Sequence, residues 1–255
     1  MKRYITLLLA SGFVASAFAQ GTDCGLIKKW DQMDAIDSYG GASWLDYDTP
    51  SDAISADDFL CTDLQPIVAV KFAGWSYYGN IWIDNFVIRF WTDVPATPDD
   101  ASHPGTLLHE IRVDNAAAQC EPGWWDNGDG TFMAIFRPDQ YFFQEGTPTN
   151  PQVYWISIQG EMITDGYFDA FYWNFRQRGY NWNDDAAFAS NYFGYAPWAN
   201  WGVDPSDTVS LYDGVLPSGW RSLDMAYTLY TIPEPGTIAA LGAGLVGLLA
   251  LRRRK

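Results

Sequence analysis

The middle of this sequence predicts an all-β fold, an antiparallel β-sandwich or jelly roll, and three observations carry the prediction. Apolar and polar residues alternate with a period of two in many short runs, Gly- and Pro-rich turn segments separate those runs, and no internal segment sustains a 3.6-residue period. In chain order, Val68, Val70 and Phe72 alternate with Ala69 and Lys71, and Phe86, Ile88 and Phe90 with Val87, Arg89 and Trp91. Leu107–Val113 and Val153–Ile158 add two strands, Phe132, Ala134 and Phe136 a third, and Phe171, Trp173 and Phe175 a fourth. Leu223, Met225, Tyr227 and Leu229, set against Asp224, Ala226, Thr228 and Tyr230, give the clearest half-buried pattern. Between the runs, Pro95–Asp100, Asp126–Gly130 and Gly146–Pro151 have turn composition, because Gly supplies positive φ and Pro, Asn and Asp pre-set tight turns. Asp184–Ser190 has the length and composition for one short helical turn.

Both ends depart from this pattern. Lys2 and Arg3, an uncharged apolar run from Ile5 to Phe18, and Ala17-Phe18-Ala19 have the three-part form of a cleavable secretory signal peptide, with cleavage expected after Ala19. At the other end Pro233, Glu234 and Pro235 precede an uncharged Gly-rich stretch to Leu251, closed by Arg252, Arg253, Arg254 and Lys255. Gly236–Leu251 would be about 24 Å long as a helix, somewhat short of the ~30 Å hydrocarbon core, with the basic cluster as its cytoplasmic stop. Gly242, Gly244 and Gly247 match a dinucleotide-binding spacing, but they lie within this stretch and read as small residues on a membrane helix. The division expected is therefore a signal peptide over 1–19, one β-sandwich ectodomain over 20–231 and a sorting segment over 232–255.

The Pro233-Glu234-Pro235 motif, the Gly-rich apolar helix and the terminal arginines resemble a PEP-CTERM sorting signal. That resemblance implies export across the inner membrane of a bacterium and transient anchoring by the C-terminal helix. It also implies cleavage by an exosortase as partner and a final place on the outer surface or in the extracellular matrix. More loosely, Ala56–Thr62, Phe143–Pro148 with Val153-Tyr154-Trp155, and Asn181–Ala186 resemble an uncharacterised sandwich domain carried by exported PEP-CTERM proteins. No activity comes with that second resemblance.

Composition narrows the partners. Between the two ends nine basic residues face thirty acidic ones, a net charge near −21 against −16 for the whole chain. Such a body repels nucleic acid and anionic lipid and suits cations or neutral ligands. The acidity is mostly Asp, since Glu occurs only at positions 110, 121, 145, 161 and 234. Asp57 with Asp58 and Asp184 with Asp185 could converge on Ca²⁺, a hard cation that takes six to eight oxygens. Of Cys24, Cys61 and Cys120, the pair Cys61–Cys120 is favoured because both flank core strands, and the other two pairings stay open. His103 and His109 belong to no zinc motif.

Aromatic side chains make up 17% of the chain, most of them expected in the core. The run from Tyr192 to Trp201 instead sets Tyr192, Tyr195, Trp198 and Trp201 among Gly194, Pro197 and Asn200, a loop composition. Rings beside Asn and Asp suit the apolar faces and hydroxyls of a sugar, so the first expectation is a non-catalytic extracellular polysaccharide binder or structural protein. The alternative is a glycoside hydrolase or polysaccharide lyase on a jelly roll, for which Glu110 and Glu161 are the carboxylate pair to test.

Overall fold

The computed structural model describes residues 25–33, 36–46, 52–76, 83–98, 100–114, 129–162, 170–176, 182–183, 185–200 and 223–233. The described residues form strands and one 3-10 turn, with no α-helix among them. The segments expected as signal peptide and sorting helix lie outside this set, as does 126–128 of the expected turn, whose last two residues, Asp129 and Gly130, instead begin a strand paired with Trp75 and Gly74.

One sheet runs β1 (Ile27–Asp31), β13 (Tyr227–Thr231), β5 (Ala69–Ser76), β10 (Phe171–Arg176) and β2 (Ile36–Ala42), with β8 (Asp129–Ile135) on the free side of β5. The other runs β12 (Tyr195–Asn200), β11 (Ala187–Ser190), β4 (Asp52–Cys61), β3 (Trp44–Asp46), β9 (Gln152–Met162), β6 (Ile83–Val94) and β7 (His103–Asp114). Among the described strands every pairing is antiparallel except that of β3 with β9. There β3 wedges between β4 and β9, which pair directly further along. The wedge is closed by side chains: Ser43 Oγ donates to the Ile158 carbonyl, and Gln159 Nε2 donates to the carbonyls of Trp44 (3.1 Å) and Ala53 (2.8 Å).

The two sheets share one aromatic core. Phe86 of the second sheet inserts among Phe72, Phe132 and Phe171 of the first, at ring separations of 4.9, 4.6 and 5.3 Å. Truncating a buried Phe of this kind to Ala costs about 3–5 kcal/mol. The sheets come close at Gly160, where an added Cβ would stand 2.6 Å from the Phe171 Cβ, so a side chain there would force them apart. Phe86, Ile88 and Phe90 face this core as their alternation predicts.

Three expectations need correction. Ala187–Ser190 is a strand rather than a helical turn, because β4 supplies its ladder from Ala56 to Ala53. Tyr195–Asn200 is also a strand, the edge strand paired with β11, rather than a loop. The pattern over 223–231 is buried on both faces rather than one. Residues 223–226 leave β13 and bond instead to β10, with Ala226 N donating to the Asn174 carbonyl (2.8 Å) and Arg176 N to the Asp224 carbonyl (2.7 Å).

Candidate functional site

A cleft of about 810 Å³ opens at one end of the second sheet. Its walls are Thr92, Asp93 and Pro95 at the end of β6, Leu108 and His109 on β7, and Gln152, Val153 and Tyr154 at the start of β9. Asp139, Tyr141, Phe142, Phe143 and Glu145 complete it from the connection after β8. That connection is fixed by local bonds. Pro138–Gln140 forms the 3-10 turn, with Gln140 N donating to the Arg137 carbonyl at 2.8 Å. Ile67 and Phe142 then exchange both backbone hydrogen bonds (2.9 and 3.1 Å), which turns Phe142 inward onto Phe90, with ring centroids 4.3 Å apart. On extended backbone the next side chain must face the other way, and Phe143 is accordingly 69% exposed at the cleft.

The same segment is anchored from behind. Gln144 donates through Nε2 to the Gln65 carbonyl (2.6 Å) and accepts from the Cys61 thiol. Gly146 lies against β4 so closely that an added Cβ would stand 2.2 Å from the Cys61 carbonyl oxygen. His109 Nε2 donates to the Gln140 carbonyl (2.9 Å), and the Tyr154 hydroxyl accepts from the Glu145 N–H (3.1 Å). Burial pushes the Tyr154 hydroxyl above its usual range. The cleft thus combines an exposed ring, Tyr141, an amide from Gln152 and the carboxylates Asp93, Asp139 and Glu145. It can accept hydrogen bonds from hydroxyls and cover an apolar ligand face, and it disfavours anions.

Glu110 and Glu161 share the outer face of the second sheet, locked in an arginine network. Arg89 Nε meets Glu110 Oε2 at 2.7 Å, while Arg112 reaches Glu161 Oε1 through Nη1 (2.6 Å) and Glu110 Oε1 through Nε (3.7 Å). Arg89 also donates to Gln159, and Asn85 Nδ2 donates to Glu161 Oε2 at 2.7 Å. Beside this ladder the indoles of Trp91 and Trp198 meet edge to face at 6.0 Å, over Trp155, Ala56 and Ala187.

Trp198, expected as an exposed ligand ring, is therefore packed on the sheet. Tyr192 is 55% exposed but stands edge-on to Trp44 at 5.7 Å. The side chain of Tyr195 and the whole of Trp201 lie outside the described set.

The calcium set expected from the sequence is not assembled among the described residues, where no three His, Cys, Asp or Glu side chains are grouped to hold an ion. Asp184 lies outside them. Asp57, Asp58 and Asp185 serve instead as internal acceptors. Asp57 Oδ2 takes the Gln32 Nε2 (2.9 Å) and Met225 N (2.7 Å) donors, and its Oδ1 takes Asp58 N (2.9 Å). Asp185 accepts from Leu223 N at 3.1 Å. Asp58 accepts from the Asn183 amide, which Asn183 aims from a left-handed backbone at φ 61°. Asp224, which sequence reading missed as a member, joins them. Burial, with the charges of Asp224 and Asp58, holds Asp57 well above the carboxylate range. Burial, with the charge of Asp185, raises Asp224 to about 7.

The Cys61–Cys120 bridge is not formed in this structure. Cys61 is a free thiol directed into the core toward Gln144, and burial pushes it up to about 12; Cys120 lies outside the described residues.

No curated protein and no solved structure matches this chain. Two family models do. Residues 231–255 match the PEP-CTERM protein-sorting motif, which implies exosortase processing, export and a surface or extracellular location. Residues 28–230, which carry the cleft, both carboxylate groups and nearly all of both sheets, match the family described as "Domain of unknown function (DUF7901)", and the chain belongs to that family.

Proposed function

We propose that this protein is a surface β-sandwich, released or re-anchored by exosortase, that binds neutral polysaccharide in the cleft beside Phe143 without cleaving it. The observation that carries the reading is Phe143 itself, a ring 69% exposed on a braced segment, flanked by carboxylates in a cleft of about 810 Å³. A ring held outward by its neighbours loses little freedom on binding, and an acidic rim favours a hydroxyl-rich neutral chain over an anionic one. Binding is preferred to hydrolysis because Glu110 and Glu161, the carboxylate pair the sequence offers, stand in ion pairs with Arg89 and Arg112 and neither lines the cleft.

Affinity electrophoresis against a panel of neutral and anionic polysaccharides tests this. Phe143→Ala should weaken retention on the neutral members by roughly tenfold, by analogy with aromatic pair energies near 1 kcal/mol, and leave the thermal midpoint unchanged. Retention unaffected by Phe143→Ala but lost with Tyr192→Ala would move the site to the turn before β12. Release of reducing sugar by the wild type, abolished in Glu145→Gln, would make the protein an enzyme.

A further inference from the structure

A second concavity, of about 460 Å³, lies where the body hands over to the sorting segment. Leu64, Pro66, Pro148, Ile232 and Pro233 supply most of its wall. Leu64 is 63% exposed and Ile232 38%, and with the three prolines they form one contiguous apolar patch. The groove is also stiff. Thr147 and Asn150 exchange two backbone bonds (3.0 and 3.1 Å) around the turn that carries Pro148. Asp63 accepts from Gln65 N (2.8 Å) and pairs with Lys29, while Thr231 Oγ1 donates to Gln65 Oε1 (3.1 Å). The last strand therefore delivers Ile232 and Pro233 to a fixed place.

We propose that this groove is a docking surface for an apolar loop on the exported face of exosortase. The sorting motif begins at residue 231, so the groove is continuous with the segment the processing enzyme has to grip. An enzyme that cuts near Pro233–Pro235 must come within a few residues of the groove, each spanning at most ~3.6 Å. A rigid wall of prolines and aliphatics meets an apolar loop at low entropic cost, which lets the enzyme recognise a folded body as well as a linear motif. A membrane surface is the weaker occupant, because a body carrying a charge near −21 is repelled by anionic lipid.

The test uses the full chain, expressed with its exosortase. Pulse-chase of membrane-held precursor to released product should be roughly tenfold slower for Leu64→Asn, the scale expected for losing one buried aliphatic contact, and normal for Leu64→Met. Phe193→Ser, an exposed apolar residue elsewhere, should process at the wild-type rate. A photo-crosslinking residue in place of Leu64 should give an adduct with exosortase. Wild-type processing of Leu64→Asn overturns the proposal. So does an adduct with lipid or with a second copy of the chain, equal slowing by Phe193→Ser, or a fall in the thermal midpoint of Leu64→Asn that matches its processing defect.

Discussion

Asp57, Asp58, Asp185 and Asp224 gather where β4 meets the 223–226 segment, and among the described residues Arg176 acts on Asp224. On the outer face of the same sheet Glu110 and Glu161 stand in direct ion pairs with Arg89 and Arg112. Both groups are fixed by hydrogen bonds, so the contrast lies in how charge is disposed of. Asp57 and Asp224 are held largely by neutral backbone and amide donors, and burial raises both, whereas the Glu carboxylates meet guanidinium groups directly. Trp30 and Trp182, edge to face at 5.1 Å, stand beside the Asp group, and the backbone N–H of Trp182 donates to Asp224 Oδ2 at 3.0 Å. The Glu side of the comparison stays open to water at Arg112 and Glu110.

The largest expected effect comes from removing the acceptor at the centre of the Asp group. Asp57→Ala strands the donors of Gln32, Met225 and Asp58, and each orphaned buried donor costs about 1–3 kcal/mol, so a total loss of roughly 3 kcal/mol or more is expected from urea midpoints. Asp57→Asn should cost less, since its carbonyl oxygen can still accept from Gln32 and Met225 while only the Asp58 N–H loses its acceptor. Equal losses from the two variants would mean that these two donors do not hold Asp57 in place.

The next effect is pH dependence. The folded-state value of Asp224 near 7 lies above the unfolded value of 3.8, so the native state holds the extra proton between them. Its contribution to stability is complete below the unfolded value and is lost as pH rises through about 7. Stability should therefore fall between about pH 4 and 7, by an amount on the order of a few kcal/mol, and the thermal midpoint with it. Asp224→Asn should flatten that slope, and an unchanged slope in this variant would remove Asp224 as its source.

How much of this could be read from the sequence differs between the same regions. The strands around Phe72, Phe86, Phe132 and Phe171 follow directly from alternation, because one face of each meets the shared core. Alternation also places Asp57 and Asp58 on opposite faces of β4, as the ladder confirms. It could not show that β9 is buried on both faces, or that Trp198 lies on the sheet. Those outcomes depend on which distant strands pair, here β11 with β4 and with β12. Asp224 was missed for the same reason: it lies 167 positions from Asp57 and reads as the polar half of a strand. The cleft left one faint signal, the adjacent rings Phe142-Phe143 before Gln144-Glu145, which cannot both face inward on extended chain. Which of them turns out is decided by Ile67, far upstream.

The smallest effect tests the Glu side. Glu110 is 37% exposed and Arg89 14%, so their pair at 2.7 Å competes with water, and Glu110→Gln should cost no more than about 1 kcal/mol. The cost should shrink as salt rises from 0.1 to 1 M, because the screening length falls from about 10 to about 3 Å. Glu161 is only 1% exposed, so Glu161→Gln should cost more and respond less to salt. If Glu110→Gln instead matches Asp57→Ala and ignores salt, the outer ladder is as enclosed as the Asp group. The contrast in exposure between the two groups would then fail.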